Sequence, residues 1–193
     1  FVVFSKVWKR MNVKVCYLEE QFRQDDADLQ DILNAMRDGT LNQRHLLLLK
    51  SRIGHKATDN VTRLYTLNVE VENINNQKLD ELAGDTHYFL RTTRGSSWND
   101  AQILQKNVLA PEILKLKTNA VVMAVKNDPE GRFFNGSIGT VQGFSSDGFP
   151  IVDFGDMYAY TVYTEEWEYK RGDKTTAGLP TLPIRLSYAS TVH

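Results

Sequence analysis

Up to residue 125, apolar residues follow two patterns along the chain. Short runs rich in β-branched and other apolar residues predict three strands, the last two of them buried, at Val13–Leu18, Arg63–Leu67 and Ala120–Val125. Between these runs, apolar residues recur at the helical spacing i, i+3, i+4 and i+7, at Leu29, Ile32, Leu33 and Met36. Strands that alternate with helices predict an α/β fold with a mainly parallel sheet covered on both faces.

Capping signals predict where the helices begin and end. Asp25 or Asp26 can cap the first helix, and Gly39 ends it in the usual position. A second helix is predicted over Gln43–Arg52. Gly84 stops the following helix, whose apolar face is formed by Val71, Ile74, Leu79 and Leu82.

The pattern changes after Lys126, where short strand-like segments follow one another without a helix. Asn135–Gly136 is a strong signal for a tight turn. Short strands are predicted at Ile138–Phe144, Pro150–Phe154, Tyr158–Tyr163 and Glu166–Tyr169. Several short strands within about fifty residues predict a small antiparallel barrel. A polar linker at 170–183 and a core strand at Ile184–Tyr188 follow, so the barrel is predicted to be an insertion in the α/β fold.

The bulk composition excludes some classes of protein. The 193 residues carry a net charge of −1, which argues against a strongly basic nucleic-acid protein but not against a local basic groove. The apolar runs are shorter than a membrane span, and no signal-peptide pattern opens the chain. Cys16 is the only cysteine, so no internal disulfide can form and a reducing, intracellular setting is expected.

The sequence lacks the motifs of a complete nucleotide-hydrolysing enzyme. No G-x-x-x-x-G-K-[ST] loop is present, since residues 172–175 (GDKT) match only the end of that pattern. No carboxylate pair follows a buried strand as a magnesium site requires, and the histidines show no metal-ligand spacing. We therefore predict no metal site. We expect this chain to be a piece of a longer protein and to be inactive alone.

Arg23 lies between the first predicted strand and the first predicted helix. In nucleotide-binding α/β proteins that junction faces the ligand, so Arg23 is a candidate γ-phosphate sensor or arginine finger, with Gln24 beside it as a second nucleotide contact. The alternative is a surface arginine paired with a neighbouring carboxylate, namely that of Glu19, Glu20 or Asp26. Because the chain has no phosphate-binding loop, Arg23 would act on a nucleotide held elsewhere.

Three residues that follow predicted strands are candidate nucleic-acid contacts. Asn68 follows the strand at Arg63–Leu67 and precedes a helix, where it fits either a helix N-cap or a phosphate contact at the helix N-terminus. Thr191 and His193 follow the last strand, where they form either a frayed chain end or a strand-end loop of the kind that holds ligands in α/β proteins.

A second group of candidates clusters at the entrance to the predicted barrel. Charge interleaved with aromatic residues suits single-stranded nucleic acid, because bases stack while phosphates pair. The alternative is an ordinary polar hairpin, and Trp167 nearby is expected in the barrel core. The members of this group are Lys126, Asn127, Arg132, Phe134 and Asn135.

Segments along nearly the whole chain resemble the second motor half of superfamily 1 DNA helicases of the RecD-like and Pif-type branch. Residues 18–39 (LEEQFRQDDADLQDILNAMRDG) resemble motif IV and its helix, and residues 62–82 (TRLYTLNVEVENINNQKLDEL) resemble the next strand and helix with its Ile-Asn pair. Residues 116–128 (LKTNAVVMAVKND) and 133–144 (FFNGSIGTVQGF) resemble the entry to an inserted SH3-like barrel. Residues 182–193 (LPIRLSYASTVH) resemble the start of motif V.

The resemblance implies a RecA-like lobe that carries an inserted SH3-like antiparallel β-barrel. The lobe would comprise residues 1–128 and 180–193, and the barrel residues 129–179. Arg23 would reach ATP, with its magnesium, on a first RecA-like lobe that this chain lacks. Thr191 and His193, and also Asn68, would lie beside single-stranded DNA. The implied activity of the full protein is ATP-driven 5′-to-3′ movement on DNA.

The resemblance also implies partners. They are single-stranded DNA, the missing lobe, and proteins of repair or replication, with no membrane. No ATP or magnesium is expected on this chain alone, because the motifs that hold them are absent and motif V stops at His193. A bacterial or phage source is favoured over an organellar one.

Two other function classes stay open. A non-catalytic module would bind nucleic acid or protein through the barrel, with the α/β part as scaffold. A small-molecule α/β enzyme would use the strand ends around Asn68 and Thr191, although no nucleophile–base or acid–base pair stands out.

Overall fold

The computed structural model describes residues 1–17, 26–55 and 61–191. The chain divides into two compact units, Phe1–Ala57 and Thr58–His193. No helix in the described ranges is long and apolar enough to cross a membrane.

The N-terminal unit is helical in its described part. A 3-10 turn at Val2–Phe4 precedes the helices α1 (Lys6–Arg10), α2 (Ala27–Asp38) and α3 (Gln43–Ser51). Asp26 caps α2, since its carboxylate accepts a hydrogen bond of 3.0 Å from the Leu29 N–H. Gly39 ends α2 in the left-handed conformation at φ 69°, which glycine adopts without a steric penalty. The bounds predicted for both α2 and α3 are therefore confirmed to within a residue or two.

Polar contacts join α2 to α3. The Asn42 side chain accepts hydrogen bonds from the N–H groups of Arg44 and His45, and His45 Nδ1 accepts one from the Asn42 N–H, which forms a capping box. His45 Nε2 also lies 3.1 Å from an Asp31 carboxylate oxygen. Arg44 pairs with both Asp28 and Asp31, so charged groups align the two helices.

The strand predicted at Val13–Leu18 is wrong for its described part. Residues 13–17 form no regular secondary structure, and Leu18 lies outside the described residues. Val13, Val15 and Tyr17 are exposed. A β-branched run becomes a strand only when another strand takes up its N–H and C=O groups, and no described strand pairs with this run.

The second unit is a mixed α/β structure. Its helices are α4 (Asn68–Asp80) and α5 (Trp98–Asn107). Its strands up to residue 124 are β1 (Arg63–Tyr65), β2 (His87–Leu90), β3 (Arg94–Gly95), β4 (Ile113–Leu116) and β5 (Val121–Ala124). The later strands are β6 (Ile138–Phe144), β7 (Pro150–Asp153), β8 (Ala159–Thr161), β9 (Glu165–Arg171), β10 (Lys174–Thr181), β11 (Ile184–Leu186) and β12 (Ala189–Thr191).

The sheets of this unit are mostly antiparallel, so the predicted mainly parallel sheet is wrong. A five-stranded sheet has the order β11-β5-β6-β7-β8, a three-stranded sheet the order β3-β10-β9, and β2 pairs with β4. Among the described residues the parallel pairing is that of β1 with β12. The connections from β6 to β7, from β7 to β8 and from β9 to β10 are short, and short connections permit only antiparallel pairing because a parallel pair needs a long crossover.

No closed barrel is formed by the described strands, so the predicted SH3-like barrel is not confirmed. The five-stranded sheet is open, with β11 and β8 at its edges. The sheet also contains strands from both sides of the predicted domain boundary at residue 128, since β5, which precedes the boundary, pairs with β6, which follows it. The main core cluster joins both sides in the same way, and includes Leu79, Leu116, Val122, Val141, Val152, Leu182 and Ile184.

The segment predicted as a polar linker, 170–183, contains the strand β10 instead. Ala177 and Leu179 of this strand are buried and pack in a second core cluster with Leu104 of α5. The sequence of this strand did not indicate a strand, because it contains Gly178 and Pro180 and both residue types are usually depleted in strands. The strand at Arg63–Leu67 is shorter than predicted and is not buried, since Arg63 and Leu64 of β1 are exposed.

Candidate nucleic-acid interface

A cleft of about 710 Å³ opens in the second unit between α4, the β11–β12 segment and residues 105–115. Asn68 and Thr191, which the sequence placed after two different strands, both line it. In the parallel pair of β1 and β12, Tyr65 lies opposite Thr191, so both strands end at the same edge. The structure therefore brings these two candidates to one site.

Asn68 is the first residue of α4 and is exposed. Leu67 occupies the N-cap position, and its helix end has no side-chain capping hydrogen bond. The interpretation of Asn68 as the N-cap is therefore wrong. The first-turn N–H groups of α4 have no intrahelical partner, as at any helix N-terminus, and Asn68 stands beside them.

Asn75 fixes the strand that carries Thr191. Its Oδ1 accepts a hydrogen bond of 2.9 Å from the Ala189 N–H, and its Nδ2 donates to the Ala189 carbonyl at 3.1 Å. A further contact of 3.5 Å reaches the Leu186 carbonyl. Asn75 is buried, so both ends of its amide are used on the backbone between β11 and β12. The resemblance quoted the Ile-Asn pair that contains this residue, but only the fold shows what its amide does.

Arg185 extends from β11 on the side away from the core, because its neighbours Ile184 and Leu186 pack in the core cluster. Its guanidinium donates a hydrogen bond of 2.8 Å to Ser190 Oγ. Burial lowers the pKa of the Arg185 side chain from its ordinary value. The sequence analysis missed this residue, although a single basic position in the apolar run LPIRLSY was a signal that could have found it.

The charge lining the cleft is positive. Four basic side chains line it against two acidic ones, although the whole chain has a net charge of −1. Arg91 holds one wall, since its guanidinium donates to the Ala110 carbonyl at 2.9 Å and pairs with Glu112 at 3.3 Å. The other basic residues are Lys106, Lys115 and Arg185, and the second acidic residue is Glu72.

Lys126 lies outside this cleft and is bound within the protein. Its ammonium donates to the Glu166 carbonyl at 2.9 Å and lies 3.3 Å from a Glu165 carboxylate oxygen. It also sits 4.7 Å from the centre of the Trp167 ring, a cation–π contact. Trp167 itself packs against the second core cluster, in line with the core position expected for it.

Three further members of the predicted hairpin group, Asn127, Arg132 and Asn135, are also bonded within the protein. The Asn127 side chain accepts a hydrogen bond of 2.8 Å from the Asn135 N–H, which closes the turn. Arg132 donates two hydrogen bonds to the Asp128 carboxylate, at 2.9 and 2.6 Å, and holds the pKa of that carboxyl below its usual value. Phe134 is exposed. These contacts favour the ordinary polar hairpin over a DNA contact.

Similar proteins identify the family. No protein-family model matches the chain. The ATP-dependent DNA helicase Pif1 of Psychrobacter is 33% identical over 154 residues, which is 76% of this chain and 23% of that protein. Human ATP-dependent DNA helicase PIF1 is 30% identical over 199 residues, which is 100% of this chain and 31% of that protein. This chain belongs to the Pif1 helicase family.

Solved Pif1 structures share the fold. Pif1 of Candida albicans superposes with a TM-score of 0.70 at 25% identity, over 99% of this chain and 50% of that one. Bacteroides Pif1 in complex with ADP-AlF4 gives a TM-score of 0.72 at 20% identity, over 89% of this chain and 41% of that one. A further structure, Bacteroides Pif1 bound to ssDNA, gives 0.58 at 20% identity with the same coverage, 89% and 41%.

This member of the Pif1 family spans less than a third of the two curated relatives named above. Three predicted site residues, Arg23, Gln24 and His193, lie outside the described residues. In the described part of the chain, no group of three or more His, Cys, Asp or Glu side chains could hold a metal ion.

Proposed function

We propose that this chain is the second motor lobe of an ATP-dependent 5′-to-3′ DNA helicase and that its cleft forms part of the single-stranded DNA path. The observation that carries this proposal is the meeting of Asn68 and Thr191 beside the ends of the two parallel strands β1 and β12. Ligands of α/β proteins bind at the carboxyl ends of parallel strands. The relatives' names, and the Pif1 structure bound to ssDNA, support DNA as that ligand.

The chemistry of the cleft suits a nucleic-acid backbone. Asn68 and Thr191 offer neutral polar side chains beside the N-terminus of α4, where the helix dipole favours an anion. The lining carries more basic than acidic groups, which attracts phosphates. We include His193, two residues after the end of β12 in the sequence, in the same path. We leave Lys126, Asn127 and Asn135 out of this path, because each of them is bonded within the protein.

Arg23 and Gln24 belong to the nucleotide half of the proposal. The Arg23 guanidinium would reach ATP, with its magnesium, on a first RecA-like lobe and neutralise charge on the transferred phosphoryl oxygens. ATP binding would bring the two lobes together and hydrolysis would let them separate. The two lobes would bind and release the DNA strand in turn, and the protein would move along it. In this arrangement residues 1–128 and 180–193 form the motor lobe and residues 129–179 an SH3-like insertion.

Replacing Arg23 tests the nucleotide half of the proposal. In a protein that joins this chain to a nucleotide-binding first lobe, Arg23→Ala should lower DNA-stimulated ATP turnover by roughly 10³-fold, because the transition-state charge loses its partner. DNA binding without nucleotide should persist. The matched control is Arg37→Ala, which removes an exposed arginine from the last turn of α2 and should leave turnover unchanged. Near-normal turnover in the Arg23 variant would remove Arg23 from this role.

A further inference from the structure

Arg185 differs from four of the five other arginines of its unit in the kind of partner that it has, and the fifth, Arg63, is exposed on β1. Arg91, Arg94, Arg132 and Arg171 each form an ion pair with a carboxylate, from Glu112, Glu166, Asp128 and Asp100 respectively. Arg185 donates to a hydroxyl, Ser190 Oγ, and no carboxylate in the described ranges lies within ion-pair distance of it.

A half-buried guanidinium without a carboxylate partner is unfavourable in free energy when no ligand is bound. Arg185 is half-buried, and desolvation is what lowers its pKa. Removing a charged group from water without a counter-ion is unfavourable. A guanidinium has five N–H donors in a planar fork, and one hydrogen bond to Ser190 leaves the remaining donors without a carboxylate acceptor from the described residues.

The position of Arg185 indicates which ligand would supply the missing charge. Its side chain lines the same cleft as Asn68 and Thr191. Ser190, which holds the guanidinium, is buried and directly precedes Thr191 on β12. Asn75 fixes this segment through Ala189, so the guanidinium is attached to a rigid part of the cleft. The planar fork matches the tetrahedral oxygens of a phosphate, which can accept two parallel hydrogen bonds.

We propose that the Arg185 guanidinium binds a phosphodiester group of single-stranded DNA in this cleft, as a contact additional to Asn68 and Thr191. This inference rests on the proposed function, because it takes the cleft as the DNA path. It assigns one phosphate contact to a residue of β11, in addition to those proposed for Asn68 and Thr191. It also explains why a cation stands in an otherwise apolar strand without a carboxylate partner.

The test measures binding of fluorescently labelled oligothymidylate, about ten nucleotides long, to the 193-residue chain across a salt series. Arg185→Gln should weaken binding by about tenfold and reduce the slope of log K against log salt by about 0.7, the loss of one phosphate contact on a single strand. Arg185→Lys should keep the salt slope while losing part of the affinity, because the charge remains and the fork does not. The matched control, Lys174→Gln, removes one exposed positive charge from β10 outside the cleft and should retain nearly full affinity.

Thermal unfolding without DNA separates a ligand-binding role from a structural one. If the role of Arg185 is to bind DNA, Arg185→Gln should leave the midpoint temperature of unfolding unchanged or raise it, since the variant buries no charge. A lowered midpoint together with unchanged DNA affinity would overturn the proposal. So would weakened binding of ATP or tripolyphosphate with unchanged DNA affinity, which would assign the guanidinium to a nucleotide phosphate.

The outcomes also distinguish this inference from the function on which it rests. If Arg185→Gln binds DNA like the unmodified chain while Asn68→Ala and Thr191→Ala bind more weakly, the Arg185 assignment fails and the DNA path stands. If neither this chain nor a protein that joins it to a first lobe binds oligothymidylate, the proposed function fails, and the Arg185 assignment fails with it.

Discussion

Two basic residues of the second unit, Arg185 in the cleft and Lys126 in the hairpin, differ in the partners of their charged groups. In the hairpin, Lys126 is bound to Glu166 and Trp167, and Asn127 closes the turn with Asn135. In the cleft, Arg185 has a hydroxyl partner and no carboxylate from the described residues. Residue type alone favoured the hairpin as a DNA contact. A basic side chain therefore indicates a binding site when its N–H donors and charge have no partner within the protein, and its presence in the sequence alone does not.

The largest expected effect concerns the amide that holds the cleft together. Asn75→Ala leaves the Ala189 N–H and carbonyl without their partner, and each unsatisfied buried group costs about 1–3 kcal/mol, so we expect the free energy of unfolding to fall by about 2–4 kcal/mol. Urea unfolding followed by circular dichroism measures this. Asn76→Ala is the control, since Asn76 is the exposed next residue of α4 and lines the same cleft. Equal stabilities of the two variants would show that the hydrogen bonds of Asn75 to Ala189 do not stabilise the fold.

The next effect concerns the sheet beyond the hairpin. A Cβ on Gly139 would lie 2.7 Å from both the Asp153 carbonyl oxygen and Val152 Cγ1, so Gly139→Ala should destabilise the protein by about 1–3 kcal/mol through overpacking. Gly143→Ala lies on the same strand with no atom within 4 Å of the added Cβ, and it should be far milder. DNA affinity of the folded Gly139 variant should be unchanged. A loss of affinity without loss of stability would move the DNA path towards this sheet.

The Asp128 carboxylate gives the hairpin a pH-dependent stability. Arg132 lowers its folded pKa, so its contribution is present above the unfolded pKa of about 3.9 and is lost as the pH falls through the folded value. Asp128→Asn should therefore be less stable than the unmodified protein at neutral pH, by about 1–2 kcal/mol for the weakened charged hydrogen bonds. The difference should shrink below about pH 4. Thermal unfolding over this pH range measures it, and a difference that is constant with pH would reject the carboxylate as its source.

The smallest expected effect is on DNA binding by the hairpin lysine. Lys126→Gln should change affinity for oligothymidylate by less than about twofold, because its ammonium is already held by Glu166 and Trp167. Fluorescence anisotropy alongside Arg185→Gln compares the two regions directly. A larger loss for Lys126→Gln than for Arg185→Gln would reverse the comparison and return the hairpin to the DNA path.

Local signals predicted α2, α3, α4 and some strands well, whereas α1 and α5 were not predicted. Asp26 caps the start of α2 and Gly39 ends this helix, as their residue types predict, and the spacing of apolar residues located α4. The prediction of β6 at Ile138–Phe144 matches the structure because the turn at Asn135–Gly136 sets its start. Each of these features depends on residues close in sequence.

Features that depend on distant residues were not predicted. The pairing of β5 with β11 and β6 makes the sheet antiparallel, and an apolar run such as Val121–Ala124 is compatible with either direction. Asn75 contacts Ala189, which lies 114 positions away. Nothing in the spacing of an asparagine on a helix indicates such a contact, and the partner of Arg185 likewise becomes visible only once β11 and β12 are folded.

Photocrosslinking with thio-substituted oligothymidylate locates the strand on the protein and so tests whether the cleft is the DNA path. Crosslinked peptides identified by mass spectrometry should come from the start of α4 around Asn68 and from the β11–β12 segment that contains Arg185 and Thr191. Crosslinks confined to the hairpin at 126–137, with none from α4 or β11–β12, would place the DNA strand outside the cleft and rule out the proposed path.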